Sequence, residues 1–372
     1  MSQNATAKVA ATGPLYAYAF VVGGCDPLHP GYRGFLYNIL VAAHVLHREG
    51  SKADIVAYFQ ISADYDGEHL PEEEERHLAE SGVQLSYLPK PQSGRGTFYD
   101  VVMEKFRILK MTQYRRVLFL DADILPKANL DYIFELSDPS VPGLNPILKP
   151  NLIYANRKEP ANAGLFMLAP QEGELEKLLE IIRIREEKAK DLPPPHFDEV
   201  EGWGHAIQPP DEWKSGGLSG TKWDYWAAKS DQGLLYHWTK YVKGSVSQVI
   251  NNKVYNWQWN KTTQTLDLDI LDNAFRQEGQ PHCDFQHFTG PHRKPWKKLK
   301  SLPADFYITD YDNSTGFTKW FHVLSMVNEK LHMGLNMSDW GTISNQIGGM
   351  PLGPKAKDSD MVARVIAQGT AQ

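Results

Sequence analysis

Cysteine is scarce in this 372-residue chain, which has only Cys25 and Cys283. Two thiols cannot build a disulfide framework, and so low a count fits a reducing compartment. Positive charge is not in excess either. Lys and Arg total 39 against 45 Asp and Glu, a formal charge of −6, whereas a nucleic-acid surface or a polybasic membrane patch needs clustered positive charge. Long apolar runs are missing too, and none approaches the roughly 18 residues of a spanning helix. The first 14 residues are small and polar, without the basic start and apolar stretch of a signal peptide. These absences predict a cytoplasmic protein with no nucleic-acid partner and no membrane span. Asn-x-Ser/Thr triplets at Asn4, Asn260, Asn313 and Asn336 do not alter that expectation, because short triplets arise by chance.

What is present is globular: 42% hydrophobic and 11% aromatic residues, enough for a substantial core. Over the first half, strand and helix signals alternate. An apolar run at 16–22 ends in Gly23-Gly24. A helical stripe follows (Phe35, Ile39, Ala42, Leu46) and is closed by Gly50. Residues 55–61 read as a second strand. Pro71 and the four glutamates after it read as a helix start, since Pro suits the first turn and carboxylates suit the positive end of the dipole. A strand at 83–88, a helix at 99–111 and a strand at 117–120 complete the series, and a further buried strand is expected at 164–168. Such alternation implies a mainly parallel sheet covered by helices, with the ligand site at the carboxyl ends of its strands. Gly23-Gly24 and Asp121-Ala122-Asp123 both lie just beyond an apolar strand.

Downstream, a charged helix is expected at 172–190, stopped by Pro193-Pro194-Pro195. Residues 191–224 form a Gly-, Pro- and Trp-rich loop too long for a mere connector, so a lid or acceptor-side excursion is expected. Helices are expected at 230–242, with Ser230 as N-cap, and at 318–332, followed by a Gly/Lys-rich tail. The organisation reads as a flexible 1–13, a main domain over 14–300 and a C-terminal helical extension with a flexible tail over 301–372. No internal repeat is evident.

Asp121 and Asp123 carry the first chemical signal. In an extended or turning segment, positions i and i+2 project to one side. Two carboxylates there can face one hard cation, which can bridge a diphosphate and stabilise its departure. An acidic turn capping residues 129–136 would hold the same two residues. The second signal is Asp284-Phe-Gln-His287-Phe-Thr-Gly290-Pro-His-Arg293-Lys294-Pro295-Trp296. An imidazole there can complete a metal site, a lysine can neutralise phosphate, and Gly290 can let backbone approach an anion. A hydrogen-bonded structural histidine is the alternative for His287. Asn162-Ala163-Gly164 places an amide beside a strand edge. Asp231-Gln232-Gly233 opens a helix, where both polar side chains can also serve orphan N–H groups. Of the tryptophans, Trp238 reads as a core anchor; Trp203 and Trp213 are candidates for stacking on an acceptor sugar, or for packing.

Taken in order, these clusters resemble glycosyltransferase family 8, the group that contains glycogenin and galactinol synthase, over roughly residues 14–300. Arg116-Val-Leu-Phe-Leu-Asp-Ala-Asp resembles the family's apolar strand with its Asp-Ala-Asp end. Asn162-Ala-Gly-Leu-Phe, Asp231-Gln-Gly-Leu, the pair Tyr255-Asn256 and the segment ending in Lys294-Pro-Trp resemble its later motifs. The resemblance implies a GT-A type, Rossmann-like mixed α/β sheet flanked by helices. It also implies retaining transfer of a hexose from a UDP-sugar, UDP-glucose or UDP-galactose being favoured and UDP-N-acetylglucosamine allowed. Mn²⁺, or Mg²⁺, would be held by Asp121, Asp123 and His287.

The same resemblance gives the remaining residues roles. Lys294 and Lys105 would meet the donor's phosphate or sugar side, and Asn162, Asp231 and Gln232 its sugar. Val22, Gly23 and Gly24 would flank uracil and ribose, with Tyr32 stacking, and Ala122, Gly164 and Gly290 would line the nucleotide. The acceptor would be a carbohydrate, a polyol or a protein-linked glycan, and a homodimer is left open. The chain departs from glycogenin-like sequences in three ways: Ala228 stands where they have an acidic residue, the Gly290–Lys294 spacing is one longer, and an upstream Arg is displaced to Arg95. No counterpart of a self-glucosylated tyrosine is seen. Two alternatives remain at this stage. One is a haloacid dehalogenase-like phosphatase, in which Asp121 would be a nucleophile, although Leu125 replaces the expected Thr or Val. The other is a non-catalytic UDP-sugar-binding scaffold.

Overall fold

Strand β1 (Tyr16–Cys25) lies between parallel neighbours β2 (Asp54–Ile61) and β4 (Arg116–Leu120), with β3 (Val83–Leu88) outside β2. Tyr18 is level with Ile55 on one side and with Leu118 on the other. Successive residues of β1 serve opposite faces. Tyr18 and Phe20 enter one hydrophobic cluster and Ala17 and Ala19 another, as a strand covered on both faces requires. This computed structural model describes residues 15–91, 98–155, 161–190, 203, 230–250, 253–257, 264–267, 284–290, 293–298 and 316–347. The expected tail, most of the 191–224 loop, Cys283, Asn4, Asn260 and Asn313 lie outside them.

Beyond β4 the sheet changes direction. Strand β7 (Asn162–Leu168) runs antiparallel to both β4 and β6 (Asn151–Tyr154). The nine-stranded order β10-β9-β8-β6-β7-β4-β1-β2-β3 is completed by β8 (Val246–Ile250), β9 (Lys253–Trp257) and β10 (Gln264–Asp267). A separate two-stranded ribbon pairs β5 (Ile124–Pro126) with β11 (Phe285–His287), setting His287 opposite Ile124. The expected GT-A type architecture, a Rossmann-like mixed sheet flanked by helices, is therefore present.

Helix α1 (Arg33–Arg48) buries Ile39, Ala42 and Leu46 of the expected stripe, with Phe35 partly buried, and ends beside Gly50, whose φ of 82° suits glycine. Helix α2 (Glu72–Glu80) has all four glutamates in its first turn, with Pro71 as the residue before it. One of them does more than complement the dipole: Glu74 is buried and accepts from Tyr32 Oη at 2.5 Å and Arg33 Nε at 2.6 Å.

Two expected helices differ in form. The segment read as 99–111 is α-helical only in α3 (Phe98–Met103) and tightens to a 3₁₀ helix over Glu104–Lys110. Its three-residue period puts Lys105 and Ile108, and likewise Phe106 and Leu109, on inward sides, and all four are buried. Helix α4 (Asp131–Glu135) and the charged α5 (Glu174–Lys190) follow in the chain. The segment read as 230–242 is α6 (Asp231–Tyr236) followed by a π-helical stretch, His237–Val242. There Thr239 Oγ1 donates to the Leu235 carbonyl at 2.8 Å, and the Lys243 N–H reaches back five residues to Trp238. The hydroxyl competes for a carbonyl of the α ladder, and the turn widens.

The C-terminal helices pack into the same core as α1. Short α7 (Pro295–Lys298), α8 (Gly316–Leu331) and α9 (Trp340–Ile347) each contribute a buried tryptophan: Trp296, Trp320 and Trp340. Trp320 sits between the other two, with ring centroids 5.8 Å and 5.7 Å away. Its indole N–H donates at 3.0 Å to the side-chain oxygen of Asn38, in the middle of α1.

Candidate active site

The turn after β4 begins the site. The Asp121 N–H donates to the Gly164 carbonyl at 2.7 Å, and the Ile124 N–H closes back on the Asp121 carbonyl at 2.8 Å. Chain direction reverses into β5, and the β5–β11 pairing carries His287 alongside; the Phe288 N–H donates to the Asp123 carbonyl at 3.0 Å. Ligand atoms of Asp121, Asp123 and His287 thus lie within 4.8 Å of one another. His287 Nε2 is 3.2 Å from Asp123 Oδ1 and 3.8 Å from Asp121 Oδ2. Neither aspartate caps the following helix, because Asn129 Oδ1 accepts the Asp131 N–H there. The capping alternative is therefore not what these carboxylates do.

The donor set fits a hard divalent cation. Asp123 is 5% exposed, and among the described residues its Oδ1 has no hydrogen-bond partner. His287 Nε2 is close enough for an ion pair with that oxygen but is not aligned to donate to it. A buried carboxylate oxygen left this way is costly unless a cation meets it. Two oxygens and one imidazole nitrogen suit Mn²⁺ or Mg²⁺ better than a soft metal.

Two lysines flank the triad. Lys105 Nζ lies 2.9 Å from Asp121 Oδ1, 2.9 Å from Asp231 Oδ2 and 3.2 Å from the Ala163 carbonyl. Burial alone would depress its pKa, but Asp121 and Asp231 outweigh that and hold it above the ordinary lysine value. Lys294 Nζ pairs with Asp123 Oδ2 and donates to the Phe288 carbonyl at 2.8 Å. Burial pulls Lys294 down to about 8, with Lys297 and Lys105 acting the same way and Asp121 opposing.

Asp231 is 6% exposed, and both its oxygens are engaged, Oδ2 by Lys105 and Oδ1 by Ser230 Oγ at 3.0 Å. Ser230 occupies the expected N-cap position of α6, but without a side-chain cap hydrogen bond. Its carbonyl accepts the Leu234 N–H, but its hydroxyl is turned to Asp231 instead. Gln232 follows in the first turn of α6 and is partly exposed. Asn162 Oδ1 accepts the Gly164 N–H at 2.9 Å. Gly164 is a packing requirement: a Cβ there would lie 2.4 Å from His287 Cε1.

The remaining expected residues are more dispersed. Val22 is buried, so what it can offer a ligand is backbone. A Cβ on Gly23 would meet Val101 of α3 at 2.4 Å, and Gly24 has a φ of 66°. Ala122 is buried within the metal-side turn. Gly290 is exposed with a φ of 86°, a conformation that favours glycine. Tyr32 requires correction. It is 1% exposed, with its hydroxyl on Glu74, so its ring has no free face for a base. Trp238 is a buried anchor as expected, and Trp203 also packs: its indole donates to the Ser230 carbonyl at 3.0 Å under the Arg185 guanidinium. Trp213 lies outside the described residues.

Asn38 was not among the expected site residues. Its amide donates to the Ile124 carbonyl at 2.8 Å, tying α1 to the strand that carries the aspartate turn, while its oxygen receives Trp320. An amide between Tyr37 and Ile39, inside the apolar middle of α1 (35–43), was the available signal.

Compared with known proteins, the chain is similar to glycosyltransferases. No family model matches the chain. It is 23% identical over 316 residues to UDP-glucuronate:xylan alpha-glucuronosyltransferase 1 of Arabidopsis thaliana, covering 80% of this chain and 36% of that protein. Galactinol synthase 1 of the same plant is 33% identical over 75 residues, 18% of this chain and 22% of that one. Among solved structures, the glycosyltransferase GlyE of Streptococcus pneumoniae TIGR4 aligns over 93% of this chain and 66% of its own. That match is 14% identical, with a TM-score of 0.42. The chain is a relative of glycosyltransferases, the class its ordered motifs resemble. It spans about a third of the length of the first of these relatives.

Proposed function

We propose that this chain is a retaining, metal-dependent glycosyltransferase that moves a hexose from a UDP-sugar to a hydroxyl acceptor. The observation that carries this reading is the Asp121–Asp123–His287 cluster, drawn from segments 164 residues apart (287 − 123) around a buried carboxylate oxygen that accepts no hydrogen bond among the described residues. UDP-glucose and UDP-galactose are the favoured donors and UDP-N-acetylglucosamine is allowed. UDP-glucuronate joins them because one relative's name contains it. The acceptor is a carbohydrate, a polyol or a protein-linked glycan.

A divalent ion held by Asp121, Asp123 and His287, Mn²⁺ or Mg²⁺, supplies positive charge for a departing diphosphate. The other roles belong to the chain. Lys294 offers an ammonium to the same diphosphate, and the backbone at Gly290 leaves room for phosphate to approach. Lys105 fixes the Asp231 carboxylate, and Asp231 and Gln232 then hold the sugar near its anomeric carbon. With both oxygens of Asp231 engaged, a front-face transfer is favoured over a covalent adduct on Asp231. In that scheme the leaving phosphate oxygen takes the acceptor's proton. Asp121, tied to Lys105, is likewise poorly placed to be the free nucleophile a phosphatase would need.

Among the described residues no helix is long and apolar enough to cross a membrane; a cytoplasmic location is part of the proposal. The test is release of UDP from a panel of UDP-sugars with Mn²⁺, with and without candidate acceptors. Turnover of one donor, abolished by chelation and by Asp121→Asn, is expected. Turnover that survives Asp121→Asn, or phosphate release from generic esters without UDP-sugar dependence, would sink the reading.

A further inference from the structure

The two lysines at the carboxylate pair are not held alike. Lys105 has three acceptors, two of them outside the metal triad: Asp231 Oδ2 at 2.9 Å and the Ala163 carbonyl at 3.2 Å. If Asp121 turned toward a cation, Lys105 would keep a carboxylate counter-ion. Among the described residues, Asp123 supplies the one carboxylate in ion-pair contact with the Lys294 ammonium, and Asp121 acts on it only at longer range. The contacts of Lys294 are Asp123 Oδ2 and the Phe288 carbonyl, and Asp123 is the innermost of the three metal-ligand residues.

A divalent ion among Asp121, Asp123 and His287 would place two positive charges beside the Lys294 ammonium, since all these groups share the Asp123 carboxylate. Like charges a few ångströms apart in a partly buried site repel strongly, and little water is present to screen them. The lysine's own carboxylate would meanwhile be drawn to the ion. Gly290, four residues before Lys294, is exposed with a φ of 86°, and a Cβ there would meet nothing within 4 Å.

We infer that Lys294 and the divalent cation compete for Asp123, and that cation binding releases the Lys294 ammonium to a diphosphate. The inference rests on the metal reading given above, and it assigns Lys294 opposite effects on two ligands. Toward the metal alone Lys294 is an antagonist, because its ion pair must be given up. Toward a diphosphate it is a partner, available only after that release. One lysine then makes metal and diphosphate binding mutually reinforcing, and by linkage the reinforcement is equal in both directions. Lys105 remains with Asp231 throughout and keeps the sugar-side carboxylate in place.

The experiment is Mn²⁺ titration of the full chain without nucleotide, followed by electron paramagnetic resonance of free Mn²⁺ and by calorimetry, then repeated with UDP. Wild type, Lys294→Met, Lys294→Arg and Asp123→Asn are compared, with circular dichroism to verify folding. Lys294→Met is expected to bind Mn²⁺ alone about tenfold or more tightly than wild type, and to lose most of the tightening that UDP gives wild type. Lys294→Arg, which keeps the charge, is expected to bind Mn²⁺ near the wild-type affinity. Stoichiometric binding by wild type, lost in Asp123→Asn but no tighter in Lys294→Met, would overturn the competition and leave the metal site standing. If neither wild type nor Lys294→Met binds Mn²⁺, the metal reading falls and the competition with it. Should Lys294→Met fail to fold, Lys294→Gln carries the same two expectations.

Discussion

Gly164 and His287 touch so closely that a methyl group on the first would overlap the ring of the second, with a Cβ 2.4 Å from Cε1. The imidazole reaches the aspartates across a strand that is bare at this one position. Gly164 also supplies the carbonyl that anchors the Asp121 N–H. A single residue without a side chain therefore sets both a backbone contact and a side-chain position in the candidate metal site.

Gly164→Ala should displace His287 while leaving the two aspartates in place. The expected result is Mn²⁺ affinity weaker by roughly 10- to 100-fold, the range seen when groups that orient metal ligands are altered. Calorimetric titration measures it. Wild-type affinity in a folded Gly164→Ala would show that His287 is not a ligand.

Substitution of the ligands themselves should be more severe. Asp123→Asn and His287→Ala are each expected to reduce Mn²⁺-dependent UDP release by on the order of 100-fold or more, because stabilisation of the leaving group is what they support. Asp121→Asn and Asp123→Asn carry an added cost. The first removes one of the two carboxylates that hold buried Lys105 and the second removes the carboxylate paired with buried Lys294, so the melting temperature of each should also fall, whereas His287→Ala breaks neither pair. Comparing Tm across the three variants separates the two effects.

Asn38 offers a stability test remote from the chemistry. Asn38→Leu leaves the Ile124 carbonyl and the Trp320 N–H without partners. With about 1–3 kcal/mol lost per unsatisfied buried group, a loss of about 2–6 kcal/mol is expected in urea unfolding. A change below about 0.5 kcal/mol would show that these two hydrogen bonds do not hold α1 to β5 and α8.

The π-helical turn predicts a pH dependence. Burial lowers the pKa of His237 to about 4, and the Arg185 guanidinium adds to the effect. The ordinary value is near 6.5, so the folded chain keeps this ring neutral where the unfolded chain would protonate it. The stability it contributes is present in full above about pH 6.5 and is lost as pH falls toward 4, up to about 3 kcal/mol. His237→Gln should flatten the wild-type decline in urea midpoint over that window. Parallel curves for the two proteins would contradict the assignment.

Much of the fold could be read locally. The strand expected at 83–88 is β3, and α1, β4 and α8 differ from expectation by one or two residues at their ends, because each is an apolar run or stripe complete within its own segment. Expectations changed where a distant group competed with the local pattern. Ser230 holds the N-cap position its sequence indicates, yet its hydroxyl serves Asp231, which answers to Lys105, 126 residues earlier. Tyr32 sits near the ligand end of β1, yet its hydroxyl is taken by Glu74, 42 residues on.

Asp121-Ala122-Asp123 shows the same division. The sequence by itself determined that two carboxylates follow a buried strand, because an apolar run and a turn are encoded within a few residues. Only the tertiary structure decided what meets them. The β5–β11 pairing brings in His287, the bare Gly164 gives it room, and a 3₁₀ turn buries Lys105 between Asp121 and Asp231. Those contacts join segments far apart in the chain, and their geometry is fixed by core packing and strand register, which local periodicity does not carry.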